Sequence, residues 1–170
     1  MKIRIKKRLN EGKGADIIAR GLNVNLLSDN AKKIFNKFGG FEEVMQGDEE
    51  TINQVLELII SLNFGDKQNL KNDSNVFREF ARLSELKVLE AEEEYEKIRN
   101  KNLDDYNEFL DIINRGDGPG RRYPDPRNNF FAMHMKYERE QEEEQYLIGI
   151  KNLQKEVDKY NNIAEKLLQV

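Results

Sequence analysis

The chain has 170 residues, the length of one domain or of one small domain with an elongated appendage. Its 28 basic and 32 acidic side chains give a formal net charge of −4, and 35% of the residues are charged, a balance typical of long helices with one solvated face. There is no cysteine, which excludes disulfides, thiolate metal sites and cysteine nucleophiles, and the single histidine argues against a His-based metal site or a Ser-His-Asp triad.

The first segment, residues 1–13, is a basic leader with six basic side chains and one acid. Ile3 and Ile5 alternate with charged residues, as in a short strand with one apolar face. Three interpretations remain open: a mobile tail, the start of a helix, or a strand that adds to the sheet of another protein. We predict contacts with partner chains at four leader residues, Ile3, Arg4, Ile5 and Lys6.

Residues 14–65 form a small helical unit in this reading. Ser28 and Asp29 are candidate N-caps for a helix that ends at Gly39 and Gly40. A short turn over residues 41–45 then leads to a second helix, which begins after a new cap at Asp48. The second helix repeats apolar residues with the period of one buried face, at Ile52, Val55, Leu56 and Ile59.

Two long helices follow a polar linker that we assign to residues 66–73. The first is expected from near Ser74 to Arg115, and the second from Asn128 or Asn129 to the C-terminus. The second carries apolar side chains alternately four and three residues apart, the a/d pattern of a coiled coil. This helix-packing seam consists of Tyr146, Ile150, Leu153, Val157, Tyr160, Ala164 and Leu167.

The loop between the long helices, residues 116–128, contains all three prolines, so neither helix continues through it. It also carries the only concentrated positive charge in the acidic body. Guanidinium groups beside an aromatic ring bind phosphates or an acidic protein surface. We favour a protein partner over nucleic acid, because the neighbouring helices are acidic. The predicted partner-binding residues of this loop are Arg121, Arg122, Tyr123 and Arg127.

These elements predict an all-α fold. Residues 74–170 form a long antiparallel, coiled-coil-like helical hairpin, joined by the linker 66–73 to the small helical unit 14–65. The alternative is that each long helix pairs with a copy in another subunit.

Carboxylates cluster on both long helices, at residues 90–96 and 138–144. A di-metal site would require a Glu-x-x-His motif on facing helices, but Phe131 stands three residues before His134. We therefore predict no metal and no cofactor, and we interpret the clusters as a solvated acidic face. The rarer alternative is mimicry of a nucleic acid. His134 is expected to be a partly buried packing residue.

The leader resembles the short basic openings of small virion and assembly proteins of tailed bacteriophages. Within its first twelve residues, MKIRIKKRLNEG, the segment Leu9-Asn10-Glu11 before Gly12 is similar to sites cut by phage head-maturation proteases. The resemblance implies a protein that is packaged into, or assembled with, a phage head.

The function predicted from the sequence is non-enzymatic, because no phosphate-binding loop, nucleophile elbow or zinc spacing occurs in it. We expect a structural or adaptor protein that acts through helix-mediated assembly, in a bacteriophage virion, with protein partners or copies of itself. The alternative is an acidic inhibitor of a nucleic-acid-binding protein. The apolar stretch at residues 58–62 is too short to span a bilayer, and we expect a cytoplasmic protein, present in the host cytoplasm and the virion if a phage encodes it.

Overall fold

The computed structural model describes residues 22–115 and 130–169. In these residues 89% of the backbone is helical and no strand occurs, so the predicted all-α class is confirmed. A short 3₁₀ turn, Val24–Leu26, precedes five α-helices in the described ranges. The helices are α1 (Asp29–Lys37), α2 (Phe41–Gln46), α3 (Glu49–Leu62), α4 (Lys67–Asn114) and α5 (Phe130–Leu168).

The ends of the short helices follow from side-chain caps and glycines. The Ser28 hydroxyl accepts a hydrogen bond from the amide of Ala31, and the Asp48 carboxylate accepts one from Thr51, as N-caps do. Gly39 and Gly40 end α1 with φ angles of 96° and 113°, in the region that glycine adopts without strain.

The segment predicted as a short turn, residues 41–45, is the helix α2. Its acidic first turn interacts favourably with the positive end of the helix dipole. Its apolar residues, Phe41, Val44 and Met45, are buried, and this burial stabilises a helix too short to form alone.

The predicted linker over residues 66–73 is wrong, because α4 begins at Lys67 and its first two turns occupy this segment. The Asp66 carboxylate accepts a hydrogen bond from the amide of Asn69 and caps the helix. Leu70 is buried, and so are the polar residues Asp73 and Ser74. The segment looks like a linker because it is polar, but its Asp73 side chain, like that of Ser74 just after it, is buried with hydrogen-bond partners.

The described part of the chain divides into two compact units. The first unit comprises residues 22–88 and 152–169, and the second unit comprises residues 89–115 and 130–151. The division falls inside α4 and α5 and not at residues 66–73, where the sequence analysis placed it. The reason is that the small helices bury their apolar faces on the adjoining parts of α4 and α5.

The first unit has an aromatic core to which four helices contribute. The rings of Phe41 and Phe77 are 6.1 Å apart, and those of Phe80 and Tyr160 are 5.8 Å apart. The Lys159 ammonium donates to the Met45 carbonyl at 2.7 Å, which holds α5 against α2. One helix pair alone could not bury the side chains of Phe77 and Phe80 completely. Both are fully covered because the small helices of the first unit pack on them as well.

The two long helices pack antiparallel in each unit, so the predicted helical hairpin is confirmed. In the first unit, the Ser74 hydroxyl donates to the Ala164 carbonyl at 2.8 Å. In the second unit, the Asn102 amide donates to the Glu142 carboxylate at 3.2 Å. Residues with higher numbers on α4 therefore face residues with lower numbers on α5, as in an antiparallel pair.

No helix in residues 22–115 and 130–169 combines the length and the apolar character needed to cross a membrane.

Candidate functional site

The second unit buries very little apolar surface of its own. Among the buried hydrophobic residues of the described chain, only Ala132 and Tyr146 belong to it, and all the others belong to the first unit. The inward-facing residues of its α4, among them Tyr95, Ile98 and Tyr106, are only half-buried. A helix pair with so small a core gains little stability from burial alone.

Polar and charged groups occupy the interface between the two helices of the second unit. Besides the Asn102–Glu142 hydrogen bond, the Arg139 guanidinium lies over the Tyr106 ring, 5.1 Å from its centre. Arg139 also lies 3.7 Å from the Glu143 carboxylate, and both side chains are mostly covered. We call Asn102, Tyr106, Arg139, Glu142 and Glu143 the polar seam. Such groups specify the alignment of two helices more than they stabilise them.

Tyr146 is the one large side chain that the second unit buries among its described residues. Its hydroxyl has no hydrogen-bond partner in this part of the chain. Burial, with the nearby carboxylates of Glu94 and Glu142, raises the pKa of Tyr146 to about 12. The phenol is therefore held in its neutral form, in a site that is shielded from solvent and close to two carboxylates.

Large apolar side chains lie on the outside of the second unit. On α5, Met133, Tyr137, Leu147 and Ile148 are each about half exposed or more, and on α4 Leu89, Leu103 and Ile112 are exposed as well. The second unit thus has polar groups at its helix interface and several large apolar side chains among the charged residues of its surface. The first unit also exposes apolar residues, Leu62 and Phe64 among them, but it buries a large aromatic core.

The residues predicted for the helix-packing seam lie on one side of α5. Tyr146, Val157, Tyr160, Ala164 and Leu167 are buried. Ile150 and Leu153 are half-buried, and Gly149, beside them, is buried. Tyr146 and Ile150 belong to the second unit, and the other five belong to the first.

The predicted partner-binding residues of the leader and of the loop lie outside the described residues. This applies to Ile3, Arg4, Ile5 and Lys6 and to Arg121, Arg122, Tyr123 and Arg127. Contact with partners at these positions stays a prediction.

The expectation that His134 is a partly buried packing residue is wrong. Its side chain is 57% exposed and lies 3.6 Å from the Glu138 carboxylate. Its ring stacks on that of Phe130. Both contacts are made one helical turn away, on the same exposed face of α5. The neighbouring apolar residues Phe131 and Met133 therefore did not indicate burial of the histidine.

The acidic clusters divide into exposed and inward-facing carboxylates. On α4, Glu90, Glu92, Glu93, Glu94 and Glu96 are all exposed. On α5, Glu138, Glu140 and Glu144 are exposed, whereas Glu142 and Glu143 turn into the polar seam. No group of three or more metal-ligating side chains is found among the described residues.

A cavity of about 220 Å³ lies in the first unit, between α2 and the C-terminal part of α5. Burial raises the pKa of the Glu156 carboxyl group, and one of its oxygens has no hydrogen-bond partner in the described chain. The volume is below that of ordinary small-molecule sites. The lining residues are Phe41, Glu42, Met45, Gln46, Glu156, Lys159 and Tyr160.

Most of the polar seam was not predicted from the sequence. A usable signal was the a/d register itself, which continues from Tyr146 towards the start of α5 and meets Glu142 or Glu143 and then Arg139. Charged residues interrupt the apolar stripe of α5. The a/d pattern of apolar residues therefore begins at Tyr146, although the helix pair extends further towards the start of α5.

Comparison with known proteins finds no family model, no characterised protein and no solved structure that matches this chain.

Proposed function

We propose that this protein is a non-enzymatic structural or adaptor protein that assembles with other polypeptide chains through the helices of its second unit. The observation that carries the proposal is the combination, in that unit, of polar groups at the helix interface with large apolar side chains on the surface. Its interface holds Asn102, Arg139 and Glu142, while Tyr137, Leu147 and Ile148 face outward.

Two physical arguments support this assignment. The first unit buries a core of aromatic residues around Phe77 and can be stable as it stands, so the exposed apolar side chains of the second unit are free to serve assembly. In addition, the polar seam aligns the two helices, so the outward-facing residues occupy defined positions, which lowers the entropic cost of binding.

The proposal includes a bacteriophage origin and a place of action in the host cytoplasm and the virion. This part rests on the resemblance of the leader, MKIRIKKRLNEG, to the openings of small phage virion proteins. The leader and the loop residues Arg121, Arg122, Tyr123 and Arg127 are proposed as further contacts with other chains.

Photo-crosslinking in the cells that naturally make the protein tests the proposal. A photo-reactive amino acid at position 137 replaces an exposed tyrosine of the second unit. A matched probe at position 54 replaces Gln54, an exposed residue of α3 in the first unit. We expect covalent adducts with another polypeptide from position 137 and far fewer from position 54.

The two probes separate the possible outcomes. Adducts with polypeptide from position 137 support assembly through the second unit, whichever chain is captured. If position 137 yields no polypeptide adduct, or no more than position 54, the proposed function is refuted.

The second candidate is an acidic inhibitor that occupies the basic groove of a nucleic-acid-binding protein. The observation that favours it is the exposure of all the carboxylates at residues 90–96 of α4. Replacing Glu92, Glu93 and Glu96 with Gln would abolish such binding, whereas assembly through apolar contacts would survive. If the triple variant still bound the nucleic-acid-binding protein, the inhibitor function would be contradicted.

A further inference from the structure

We propose that a short surface on α5 is a self-association site, in which the helix pairs antiparallel with the same helix of a second copy. The surface, which we call the 144–151 patch, consists of Glu144, Leu147, Ile148 and Lys151. This inference deepens the proposed function and rests on it, since it names one partner of the second unit.

The four residues of the 144–151 patch lie on the outer side of α5. Their spacing, i, i+3, i+4 and i+7, places them on one face of a helix. Leu147 and Ile148 are 49% and 53% exposed, and Glu144 and Lys151 are exposed as well. The packed side of the same turns is formed by Tyr146 and Gly149, which are buried. The patch is therefore not the surface that faces α4.

The patch is symmetric in shape and opposite in charge at its two ends. Glu144 stands three residues before Leu147, and Lys151 stands three residues after Ile148. When two such helices pair antiparallel about the point between Leu147 and Ile148, each Glu144 meets the other copy's Lys151. A twofold contact needs such self-complementarity, because the same surface is used by both copies.

Parallel pairing is disfavoured by the same charges, since it would bring Glu144 against Glu144 and Lys151 against Lys151. Like charges at close range weaken association, and opposite charges set its orientation. The charges therefore select the antiparallel arrangement, while Leu147 and Ile148 supply the apolar centre that both copies cover.

The charged residues of the patch are not used within the described chain. Lys136 pairs with Glu140, and Arg139 with Glu143, one turn along the helix. Glu144 and Lys151 form no ion pair with any side chain in residues 22–115 and 130–169. Glu140 and Glu144 also lie one turn apart on the same face, which is locally repulsive. A cation from a second copy beside Glu144 would relieve this repulsion.

Sedimentation velocity of the full chain with two charge reversals tests the proposal. Glu144→Lys and Lys151→Glu each turn both ion pairs of the antiparallel contact into like-charge pairs. We expect each single variant to associate at least about tenfold more weakly than the parent. The same kind of change at Glu165, an exposed residue of α5 in the first unit, is the matched control and should leave association unchanged.

Mixing the two single variants supplies the decisive measurement. In a mixed pair, position 144 of each chain faces an opposite charge at position 151 of the other, so association should return to near the parent's strength. The double variant Glu144→Lys/Lys151→Glu should also associate like the parent. Circular dichroism of every variant should show the parent's helix content, because all the substitutions are at exposed positions.

The outcomes separate this inference from the proposed function. A parent chain that stays monomeric over a wide concentration range overturns self-association, and so does a mixture that associates no better than the single variants. If position 137 still crosslinks to a different polypeptide in those cases, the proposed function stands and only the identity of the partner changes.

Discussion

The two units of this protein differ in how much apolar surface they bury and in the polarity of their helix interfaces. The first unit surrounds Phe35, Phe77 and Phe80 with small helices and buries them completely. In its described residues the second unit is a helix pair whose interface includes Arg139 and Glu142, and five of its leucines and isoleucines are exposed. The same two helices, α4 and α5, take part in both. Packing partners, and not the helices themselves, therefore decide where stability resides.

Two buried polar groups, one from each unit, differ in their hydrogen bonding. In the first unit, the Asp73 carboxylate accepts hydrogen bonds from the Ser28 amide and hydroxyl at 2.6 and 2.7 Å. In the second unit, the buried Tyr146 hydroxyl has no such partner among the described residues. A buried polar group with partners locks a structure, whereas one without partners costs stability.

The largest expected effect is the loss of an aromatic ring from the core of the first unit. Phe77 is fully buried and contacts the rings of Phe35, Phe41, Phe80 and Tyr160. Phe77→Ala should lower the free energy of unfolding of this unit by about 3–5 kcal/mol. Urea denaturation, followed by hydrogen exchange of amides in the first unit, measures the loss.

The matched change in the second unit is Ile98→Ala, at a half-buried position of the same helix. It should cost only about 1 kcal/mol, because less apolar surface is covered there. An equal cost at the two positions would contradict the contrast between the units.

The next effect concerns the buried carboxylate of the first unit. Asp73→Ala leaves the amide and the hydroxyl of Ser28 without their acceptor, and we expect a loss of about 2–4 kcal/mol. Asp73→Asn keeps one acceptor oxygen and should recover part of this loss. The measurement is the urea midpoint of each variant at neutral pH.

The pH dependence of the parent offers a further check on Asp73. Burial raises the pKa of this carboxyl group, in spite of the hydrogen bonds from Ser28 and the charge of Lys32. The folded state then holds the proton more strongly than the unfolded state does. Stability from this group should fall as the pH rises from its unfolded pKa through its folded pKa, and Asp73→Asn should lack that component. If the free energy of unfolding changed with pH with the same slope in the parent and in Asp73→Asn, this expectation would be contradicted.

The smallest effect is expected at the buried phenol of the second unit. Tyr146→Phe removes a hydroxyl that has no partner among the described residues, and should stabilise this unit by about 1 kcal/mol at neutral pH. Phe retains the ring, so the packing of Tyr146 is kept. Hydrogen exchange of amides in the second unit measures the gain. The control is Tyr137→Phe, which removes the hydroxyl of an exposed tyrosine.

The advantage of Tyr146→Phe should grow in alkali. The pKa of Tyr146 is raised to about 12 in the folded state, against about 10 in an unfolded chain. Between these values the unfolded state has lost the proton and the folded state has kept it, so the parent loses stability as the pH rises. A variant whose advantage stays constant through this range would show that the phenol is not held neutral.

The sequence by itself determined most of the helices and several of their ends, because these depend on local signals, although it missed α2 and the start of α4. Ser28 and Asp48 cap, Gly39 and Gly40 terminate, and the spacing of Ile52, Val55, Leu56 and Ile59 marks a buried face. The antiparallel pairing of α4 and α5 was also predicted, because two consecutive helices of similar length can fold back on each other.

Only the tertiary structure decided how the chain divides and which polar residues face inward. Residues 66–73 look like a linker until Ser28 is seen to supply the donors that allow Asp73 to be buried. Arg139 and Glu142 look solvated until Tyr106 and Asn102 are placed opposite them. A charged side chain is buried only when a distant residue pairs with it, and that pairing is a property of the fold and not of the local sequence.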